Sequence, residues 1–390
     1  MRIGVDGGTW ASGRGYGRFT REILSVMVRL AADDEWIVFL DPEGERAFDL
    51  GGGNVRTVTV GIEAPGTGAS AEGSRAPADL LRLTRAVRRE RPDVFFSPSV
   101  YTFFPLPPGQ RAVVTVHDTI PERFPELTLP TRRARWFWNA KVRLALLQSR
   151  LVLTVSEYSA RDIAAILGVP RERIRVAAEA PAEEYRPSDS VADIGRAVST
   201  WGLTSDDAWF VYVGGFNPHK RVDAVVRAHA EVAQGRSRPP HLLLVGDAAG
   251  DRFHRNVDQI RDAIATSGTS GLVHWTGFVD DEVLRYVHAG AVGLVLVSEA
   301  EGFGLPAVEA AACGTPVIAT RQSPLPEILE GGGIFLDPGD HAGLVRAMQH
   351  LLDDPVARST MGARARTCAN ALTWERGASV ALAALREASA

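Results

Sequence analysis

Residues suited to binding a phosphate ester are concentrated between Ser298 and Thr320. An apolar run ends there in a glycine-containing turn, and Pro306 follows where a helix would begin, because proline is favoured in the first turn of a helix. Backbone N–H groups at a helix N-terminus have no partner within the helix and attract anions. The expected donors are the backbone groups of Gly302, Phe303, Gly304 and Leu305.

Two glutamates lie on either side of this predicted anion site. Glu301 immediately precedes the helix, and Glu309 lies one turn inside it. Their carboxylates could accept hydrogen bonds from hydroxyl groups on different sides of a bound diphosphate. In an arbitrary strand–turn–helix unit they would be surface glutamates, but the density of glycine, proline and glutamate here favours a binding site.

The two lysines of the chain mark a second candidate. Lys141 and Lys220 are the only lysines among the 43 basic residues, and the other 41 are arginine, a bias typical of GC-rich coding. Lys220 follows the apolar run Trp209–Val213 and a short turn, so its ammonium could reach a diphosphate as a mobile point charge. Lys141 is interpreted as an ordinary basic residue of the predicted helix Arg132–Arg150.

Composition excludes several classes of protein. The chain has 390 residues, of which 45% are hydrophobic and 23% charged, a balance typical of globular proteins. A net charge of −4 provides no basic field for nucleic acid. Cys313 and Cys368 are too few for a disulfide framework, and no run of about 18 apolar residues is present. Because the N-terminus also lacks the apolar core of a signal peptide, we expect a cytoplasmic protein.

The elements that would position these residues alternate along the whole chain. Short apolar runs, separated by segments of helical periodicity, predict an α/β protein with parallel sheets, whose ligands bind at the carboxyl ends of the strands. A weak stretch at Glu183–Ser205 divides two series of such runs. We therefore predict two doubly wound, Rossmann-like domains facing across a cleft, at residues 1–190 and 191–374, with a last helix at about 375–390.

Two further stretches follow predicted strands of the first domain. His117 ends the apolar run Ala112–His117 and precedes Asp118. A lone histidine is more often a core residue than a catalyst, so the residue types alone leave its role open. The glycine-rich loop after the first strand lets backbone approach a ligand, although its glycines lack the spacing of a dinucleotide-binding loop.

Taken together, these motifs resemble glycosyltransferase family 4, retaining enzymes of the GT-B fold. EGFGLPAVEA, which begins at Glu301, and the following ACGTPV are similar to the donor-site signature of that family, in which seven residues separate two glutamates. The resemblance covers nearly the whole chain through VHDTIPERFPE, TVSEYSARDI, YVGGFNPHKRVD, LLVGD, TGFVDDEVL and SPLPEILEGGGIFLDP. It implies that the first domain binds the acceptor, that the second binds a sugar nucleotide, and that the last helix returns to the first domain.

The resemblance implies a role for each candidate residue of the second domain. Glu309 would bind the ribose of the nucleotide, Glu301 would contact the donor sugar, and Lys220 would hold the donor phosphates. Many relatives also have an arginine near the lysine. Gly215 and His219 stand at those places, so we expect His219 to be a weaker substitute for that cation, or Arg221 to help.

Other parts of the resemblance concern the nucleobase and the first domain. Backbone around Val279 would hold the base. Asp280 or Asp281 could accept hydrogen bonds from guanine, although both could equally cap the next helix. His117 would lie beside the donor sugar near its hydroxymethyl group, and Asp118 would orient that ring or the acceptor. The first loop would contact the acceptor or a donor phosphate through Gly15, Tyr16, Gly17 and Arg18.

The implied reaction is transfer of a hexose to an acceptor hydroxyl with retention at the anomeric carbon. The HDTIP and SPLPEI motifs look most like those of mannosyltransferases, which makes GDP-mannose the first choice of donor and a UDP- or dTDP-sugar the second. The acceptor could be a glycan, a lipid-linked glycan or a small molecule. No Asp-x-Asp triplet occurs, so we expect no metal cofactor. A sugar-nucleotide epimerase and a non-catalytic sugar-nucleotide sensor remain alternatives, whereas the glycine spacing disfavours a dinucleotide oxidoreductase.

The segment Arg132–Arg150 has an unusual composition. It holds five arginines, Lys141 and three consecutive aromatic residues, Trp136, Phe137 and Trp138, but no acid. It could contact anionic lipid at the inner face of a membrane, or a phosphorylated acceptor. The alternative is a domain helix with a solvated basic face.

Overall fold

The computed structural model describes residues 1–62, 75–129, 131–248 and 254–390, without the side chains of residues 254 and 255. These residues form two compact units, Met1–Glu179 with Thr373–Ala390, and Ala180–Leu372. The chain enters the second unit earlier than the predicted residue 190. The buried Tyr185 explains this, because its hydroxyl donates to the carboxylate of Asp281 in the second unit at 2.7 Å.

Parallel strands form one sheet in the described part of the first unit, in the order β3-β2-β1-β4-β5-β6-β7. Most of its strands are apolar and buried, as expected for a parallel sheet covered on both faces. The strands are β1 Arg2–Asp6, β2 Glu35–Leu40, β3 Val55–Thr59, β4 Val94–Ser97, β5 Ala112–Thr115, β6 Leu151–Thr154 and β7 Ile174–Val176.

A second parallel sheet forms the centre of the second unit. Its order over the described residues is β10-β9-β8-β11-β12-β13. The strands are β8 Trp209–Val213, β9 His241–Val245, β10 Val273–Gly277, β11 Gly293–Leu296, β12 Val317–Thr320 and β13 Gly333–Leu336. The α/β prediction with two Rossmann-like, parallel-sheet domains is confirmed.

Each sheet has one position where its winding direction reverses. In the first sheet the reversal lies between β1 and β4, and in the second between β8 and β11. Loops that leave the carboxyl ends of these neighbouring strands diverge to opposite faces and leave a crevice between them, where ligands of doubly wound sheets bind. Ligand sites are therefore expected at these two reversal points.

Helices connect the strands of both sheets. Those of the first unit are α1 Gly15–Leu30, α2 Pro42–Ala47, α3 Pro77–Glu90, α4 Ile120–Arg123, α5 Pro125–Thr128, α6 Arg132–Gln148, α7 Glu157–Leu167 and α16 Trp374–Ser389. Those of the second unit are α8 Val191–Ser199, α9 Val222–Ala233, α10 His254–Ser267, α11 Asp281–Gly290, α12 Leu305–Ala312, α13 Leu325–Ile328, α14 His341–Asp353 and α15 Pro355–Ala369.

Helix α6 packs against the sheet of the first unit through one face only. Trp138, Val142 and Ala145 are buried in a hydrophobic cluster that also contains Val114 of β5 and Val152 of β6. The opposite face of the helix is exposed. This arrangement fixes the rotation of α6 and thereby decides which of its basic residues face solvent.

Three local predictions differ from the structure. The strand predicted at Ala112–His117 ends at Thr115, and the chain then leads into α4, where the carboxylate of Asp118 accepts from the backbone N–H of Ile120 at 2.9 Å. The weak stretch Glu183–Ser205 contains α8, which is capped by the hydroxyl of Ser190. Strand β7 was not predicted, because its three residues are too few for a clear pattern.

Candidate functional site

The reversal point of the second sheet brings together Lys220 and Glu301. Lys220 ends a short 3₁₀ helix, Pro218–Lys220, that follows β8, and Glu301 lies in the loop after β11. The ammonium of Lys220 donates to Glu301 Oε1 at 2.7 Å. Because their side chains are only 19% and 9% exposed, this ion pair holds both groups in defined positions.

Two other residues of the sequence SEAE (residues 298–301) make contacts around this ion pair. The hydroxyl of Ser298 donates to the same oxygen of Glu301, and the carboxylate of Glu299 pairs with Arg221 at 2.5 Å. The backbone N–H of Glu299 also donates to the carbonyl of His219 at 2.7 Å. Neither Ser298 nor Glu299 was predicted from the sequence to contact the site, although their position directly after a buried strand was the available signal.

The loop before α12 leads into the predicted helix N-terminus, but the helix begins one residue before Pro306. Gly304 adopts the left-handed region at φ +87°, and the helix begins at Leu305, so Pro306 stands in its second position. A Cβ on Gly304 would lie 2.8 Å from the side chain of Leu325, so only glycine fits. Among the residues that the structure describes, none accepts a hydrogen bond from the backbone N–H groups of Phe303, Gly304 or Leu305.

Glu309 lies on α12 and is almost completely buried, at 3% exposure. Carboxylates are rarely buried to this degree unless a partner or a ligand requires them.

His219, the residue expected to substitute weakly for an arginine, is buried next to Lys220. Burial, and then the neighbouring ammonium of Lys220, lower the pKa of its imidazole to about 3. The ring is therefore neutral near pH 7. Arg221, the other residue expected to help, has its guanidinium paired with Glu299, so Lys220 is the cation nearest to Glu301.

The loop expected to hold the nucleobase lies at the carboxyl end of β10, and Gly215 lies in the turn at the carboxyl end of β8. The carbonyl of Gly215 accepts from the hydroxyl of Tyr212, which fixes the turn after β8. Val279 is buried, and Asp280 occupies the N-cap position of α11 without a capping hydrogen bond from its side chain. The carboxylate of Asp281 accepts a hydrogen bond from the hydroxyl of Tyr185, whereas the side chain of Asp280 is exposed.

In the first unit, His117 lies in the loop after β5. Its Nε2 lies 3.0 Å from the carbonyl of Pro98, which can only accept, so Nε2 carries the proton. Its Nδ1 faces the carboxylate of Glu179 at 3.8 Å, and the ring packs edge-on against Phe19. Glu179 was not singled out from the sequence, because it lies far from His117 along the chain. Asp118 follows and caps the start of α4.

The predicted acceptor loop is the first turn of α1 rather than a loop. Gly15, Tyr16 and Gly17 are helical, and Arg18 continues the helix. A Cβ on Gly17 would lie 2.1 Å from the carbonyl oxygen of Ser12, so close packing explains this glycine. Tyr16 packs its ring 5.3 Å from that of Tyr101, which follows β4 at the reversal point of the first sheet.

Two family models match the chain, one largely within each unit. Residues 14–178 match the model described as Glycosyltransferase Family 4, and residues 196–367 match the model described as Glycosyl transferases group 1. The chain is a glycosyltransferase of the family 4 type. The predicted family is thereby confirmed.

Curated relatives of this glycosyltransferase include two kinds of enzyme. O-antigen chain mannosyltransferase B of Escherichia coli is 29% identical over 296 residues, which cover 75% of this chain and 74% of the relative. D-inositol 3-phosphate glycosyltransferase of Rhodococcus opacus (strain B4) is 30% identical over 243 residues, which cover 62% of this chain and 53% of the relative. The match thus spans about half the length of the second relative.

Solved structures show that this glycosyltransferase has the GT-B fold, as predicted. Sucrose-phosphate synthase from Thermosynechococcus elongatus superposes with a TM-score of 0.78 at 20% identity, covering 99% of this chain and 98% of that one. HepE from Anabaena, in complex with UDP and glucose, gives a TM-score of 0.74 at 19% identity, covering 99% and 100%. At such identities these likenesses show the fold alone.

The described residues contain neither a metal-binding cluster nor a membrane-spanning helix. No group of three or more histidine, cysteine, aspartate or glutamate side chains there is arranged to hold a metal ion. No helix in the same part of the chain is both long and apolar enough to cross a bilayer.

Proposed function

We propose that this glycosyltransferase moves a hexose from a nucleotide-diphosphate sugar to an acceptor hydroxyl, with retention at the anomeric carbon. The single observation that supports it most is the pairing of Lys220 with Glu301 at the reversal point of the second sheet. A cation, a helix N-terminus and two buried carboxylates at one edge of a sheet suit a diphosphate that carries a sugar and a ribose.

Lys220 and the N-terminus of α12 would bind the diphosphate and stabilise the negative charge that develops as it leaves. The carboxylate of Glu301 would then accept hydrogen bonds from hydroxyls of the donor sugar, and that of Glu309 from the ribose. The leaving phosphate would take the proton of the acceptor hydroxyl, since the acceptor attacks the face from which the diphosphate departs. Because these groups meet the charge, the proposed reaction needs no metal ion.

The donor we propose is GDP-mannose, with a UDP- or dTDP-sugar as second choice. The name of the Escherichia coli relative, a mannosyltransferase, supports mannose. The acceptor would be a glycan, free or lipid-linked, or a small molecule. The first unit would bind it near His117 and Asp118, and a cytoplasmic location would give access to nucleotide sugars.

Transfer and its stereochemistry can be tested in one experiment. The protein is incubated with GDP-mannose labelled with ¹³C at the anomeric carbon, with polar and lipid extracts as acceptors and with EDTA present. We expect a labelled α-mannoside, recognised by the one-bond carbon–proton coupling at that carbon. A β-linked product would contradict retention, strict dependence on added metal would contradict the metal-free mechanism, and an epimerised nucleotide sugar without transfer would indicate an epimerase.

A surface of α6 supports a peripheral contact with an anionic membrane, which we propose as the location of the reaction. Trp136 and Leu147 are 66% and 80% exposed, and Phe137 and Leu144 are also exposed. Exposed arginines on the same face are Arg132, Arg133 and Arg143, and α6 contains no acid. Aromatic and aliphatic groups beside arginines suit the headgroup region of an anionic bilayer.

A further inference from the structure

Arg221 occupies a position where the backbone disfavours an arginine. Its φ of +53° lies in the left-handed region, which glycine and asparagine enter more readily than residues with longer side chains. It is also the N-cap of α9, and its carbonyl accepts from the backbone N–H groups of Ala224 and Val225. An N-cap favours side chains with an oxygen, and the side chain of Arg221 makes no capping hydrogen bond. Because both local preferences oppose it, the arginine needs an explanation in the contacts of its side chain.

Arg91 provides a comparison within the same protein. Among the described residues it is the other non-glycine residue with a positive φ, at +50°. It is the exposed C-cap of α3, a place where the left-handed conformation is common, and its guanidinium makes no ion pair with any described residue. The two arginines therefore share a backbone conformation and differ in the contacts of their side chains.

The guanidinium of Arg221 holds the loop that follows β11. Its Nη1 donates to Glu299 Oε1 at 2.5 Å, and the side chain of Glu299 is only 16% exposed. The backbone N–H of Glu299 donates to the carbonyl of His219 at 2.7 Å. Glu299 is thus attached to the turn of residues 218–221 through its backbone and again through its side chain.

The same turn and the same loop carry Lys220 and Glu301. Glu301 lies two residues after Glu299, and its carboxylate accepts from the ammonium of Lys220 at 2.7 Å. Since both ion pairs join one turn to one loop, a movement of the loop at Glu299 changes the distance between Lys220 and Glu301. Arg221 can therefore act on the donor site without touching the donor.

The four side chains form two matched ion pairs, and the loss of either outer partner disturbs the inner pair. A mostly buried carboxylate is costly unless a cation pairs with it, so without Arg221 the carboxylate of Glu299 would compete with Glu301 for Lys220. Without Glu299, the guanidinium of Arg221 would compete with Lys220 for Glu301. Pairing of the outer partners prevents both exchanges.

We propose that Arg221 is a positioning residue of the donor site, which acts through Glu299 to hold Lys220 and Glu301 in the geometry that binds the diphosphate of a sugar nucleotide. The inference rests on the proposed function and extends it to residues that do not touch the donor. A role of charge alone predicts opposite effects, since loss of Arg221 removes a positive charge and loss of Glu299 a negative one. Positioning predicts that the loss of either residue weakens binding.

Because the chain has two lysines, this geometry can be followed without a nucleotide. In protein labelled with ¹³C-lysine, the side-chain signals of Lys141 and Lys220 are distinguished with Lys141→Arg. Arg221→Gly and Glu299→Ala are each expected to move the Lys220 signal. The movement should be toward the position of that signal in Glu301→Gln, in which the ion pair is broken. The Lys141 signal should stay in place.

Arg91→Gly is the matched control for Arg221→Gly, because each replaces a left-handed arginine by the residue that this conformation favours. It should leave both lysine signals and nucleotide binding unchanged, and it should raise the midpoint of thermal unfolding. Arg221→Gly should raise the midpoint less, because it also loses the ion pair with Glu299.

Calorimetric titration with GDP measures the consequence for binding. Arg221→Gly and Glu299→Ala should each bind GDP about fivefold more weakly than the wild type. Arg221→Lys, which keeps a cation beside Glu299, should restore most of the affinity. Tighter binding in Glu299→Ala, or a Lys220 signal that stays in place in both variants, would overturn the inference. A Lys220 signal that moves as expected, in a protein that binds neither GDP, UDP nor dTDP, would uphold the positioning and contradict the proposed function.

Discussion

At the scale of single residues, several carboxylates and cations of the chain have surroundings that differ from those of surface groups. Glu309 is nearly inaccessible, Lys220 is paired with Glu301, and Lys141 is directed inward. Sequence patterns singled out Glu309, Lys220 and Glu301 as candidate site residues, because they occur in motifs next to predicted strands. The inward direction of Lys141 was not predictable, since helical periodicity alone does not fix which face of α6 packs on the sheet.

The role of Glu309 can be tested through the ribose that it is proposed to bind. The wild-type protein should bind GDP more tightly than 2′,3′-dideoxy-GDP, because the dideoxy nucleotide cannot donate hydroxyl hydrogen bonds to the carboxylate. Glu309→Gln should bind GDP about tenfold more weakly and lose most of this discrimination, as measured by calorimetry. Glu330→Gln, at a side chain that is 83% exposed, is the control. Discrimination that persists in Glu309→Gln would contradict the assignment.

At the scale of elements, the site depends on where each loop stops and each helix starts. The motif around Gly302 and Gly304 predicted a helix N-terminus, and the structure places its first residue at Leu305 because Gly304 takes a left-handed conformation. The burial of His219 could not be predicted in this way, since it follows from the packing of the 3₁₀ helix after β8 against the loop after β11. The local sequence therefore predicted where the helix begins, but not the burial that decides the charge state of the His219 side chain.

Gly304→Ala tests the start of α12. The left-handed φ and the contact with Leu325 both oppose a Cβ, so we expect a loss of about 2 kcal/mol in the free energy of unfolding, together with weaker GDP binding. Gly314→Ala has a similar φ of +85° and nothing within 4 Å of the added Cβ, so it reports the backbone strain alone. Equal stability and equal GDP affinity in the two variants would show that the loop before α12 does not need Gly304.

The exposed face of α6 gives a second prediction at this scale. Arg133→Glu and Arg143→Glu should each weaken binding to phosphatidylglycerol vesicles several-fold, since each arginine near an anionic surface contributes roughly 1 kcal/mol. Leu147→Ser should weaken it as well, and added salt should reduce the effect of the arginines but not that of Leu147. Arg88→Glu provides the control, and vesicle sedimentation the measurement. Vesicle binding that is unaffected by all three substitutions on α6 would exclude this surface.

At the scale of the whole molecule, a fall in pH is expected to change the stability of the two units in opposite directions. Burial lowers the pKa of His219 and His288 to about 3 and of His229 to about 4, all in the second unit. Burial raises the pKa of Glu122 in the first unit to about 7. The folded second unit therefore binds fewer protons than its unfolded chain below about pH 6.5, whereas the folded first unit retains the proton of Glu122 up to about pH 7.

Acid should consequently destabilise the second unit first. Each buried histidine is expected to reduce the free energy of unfolding by up to about 1.4 kcal/mol per pH unit as the pH falls below about 6.5. Hydrogen exchange at pH 7 and pH 5 measures this separately for peptides of each unit. His288→Leu should reduce the pH dependence of the second unit, because it removes one of its buried neutral histidines. Earlier acid unfolding of the first unit would contradict the prediction.

The most direct test of the central proposal is calorimetric titration of GDP-mannose into the wild-type protein and into Lys220→Gln. Lys220 is proposed to hold the diphosphate, so saturable binding to the wild type and binding about tenfold or more weaker in Lys220→Gln are expected. Arg227→Gln, at an exposed arginine that pairs with Asp223, should bind like the wild type. Equal affinity in Lys220→Gln, or no binding of GDP-, UDP- or dTDP-sugars to the wild type, would contradict the proposed donor site.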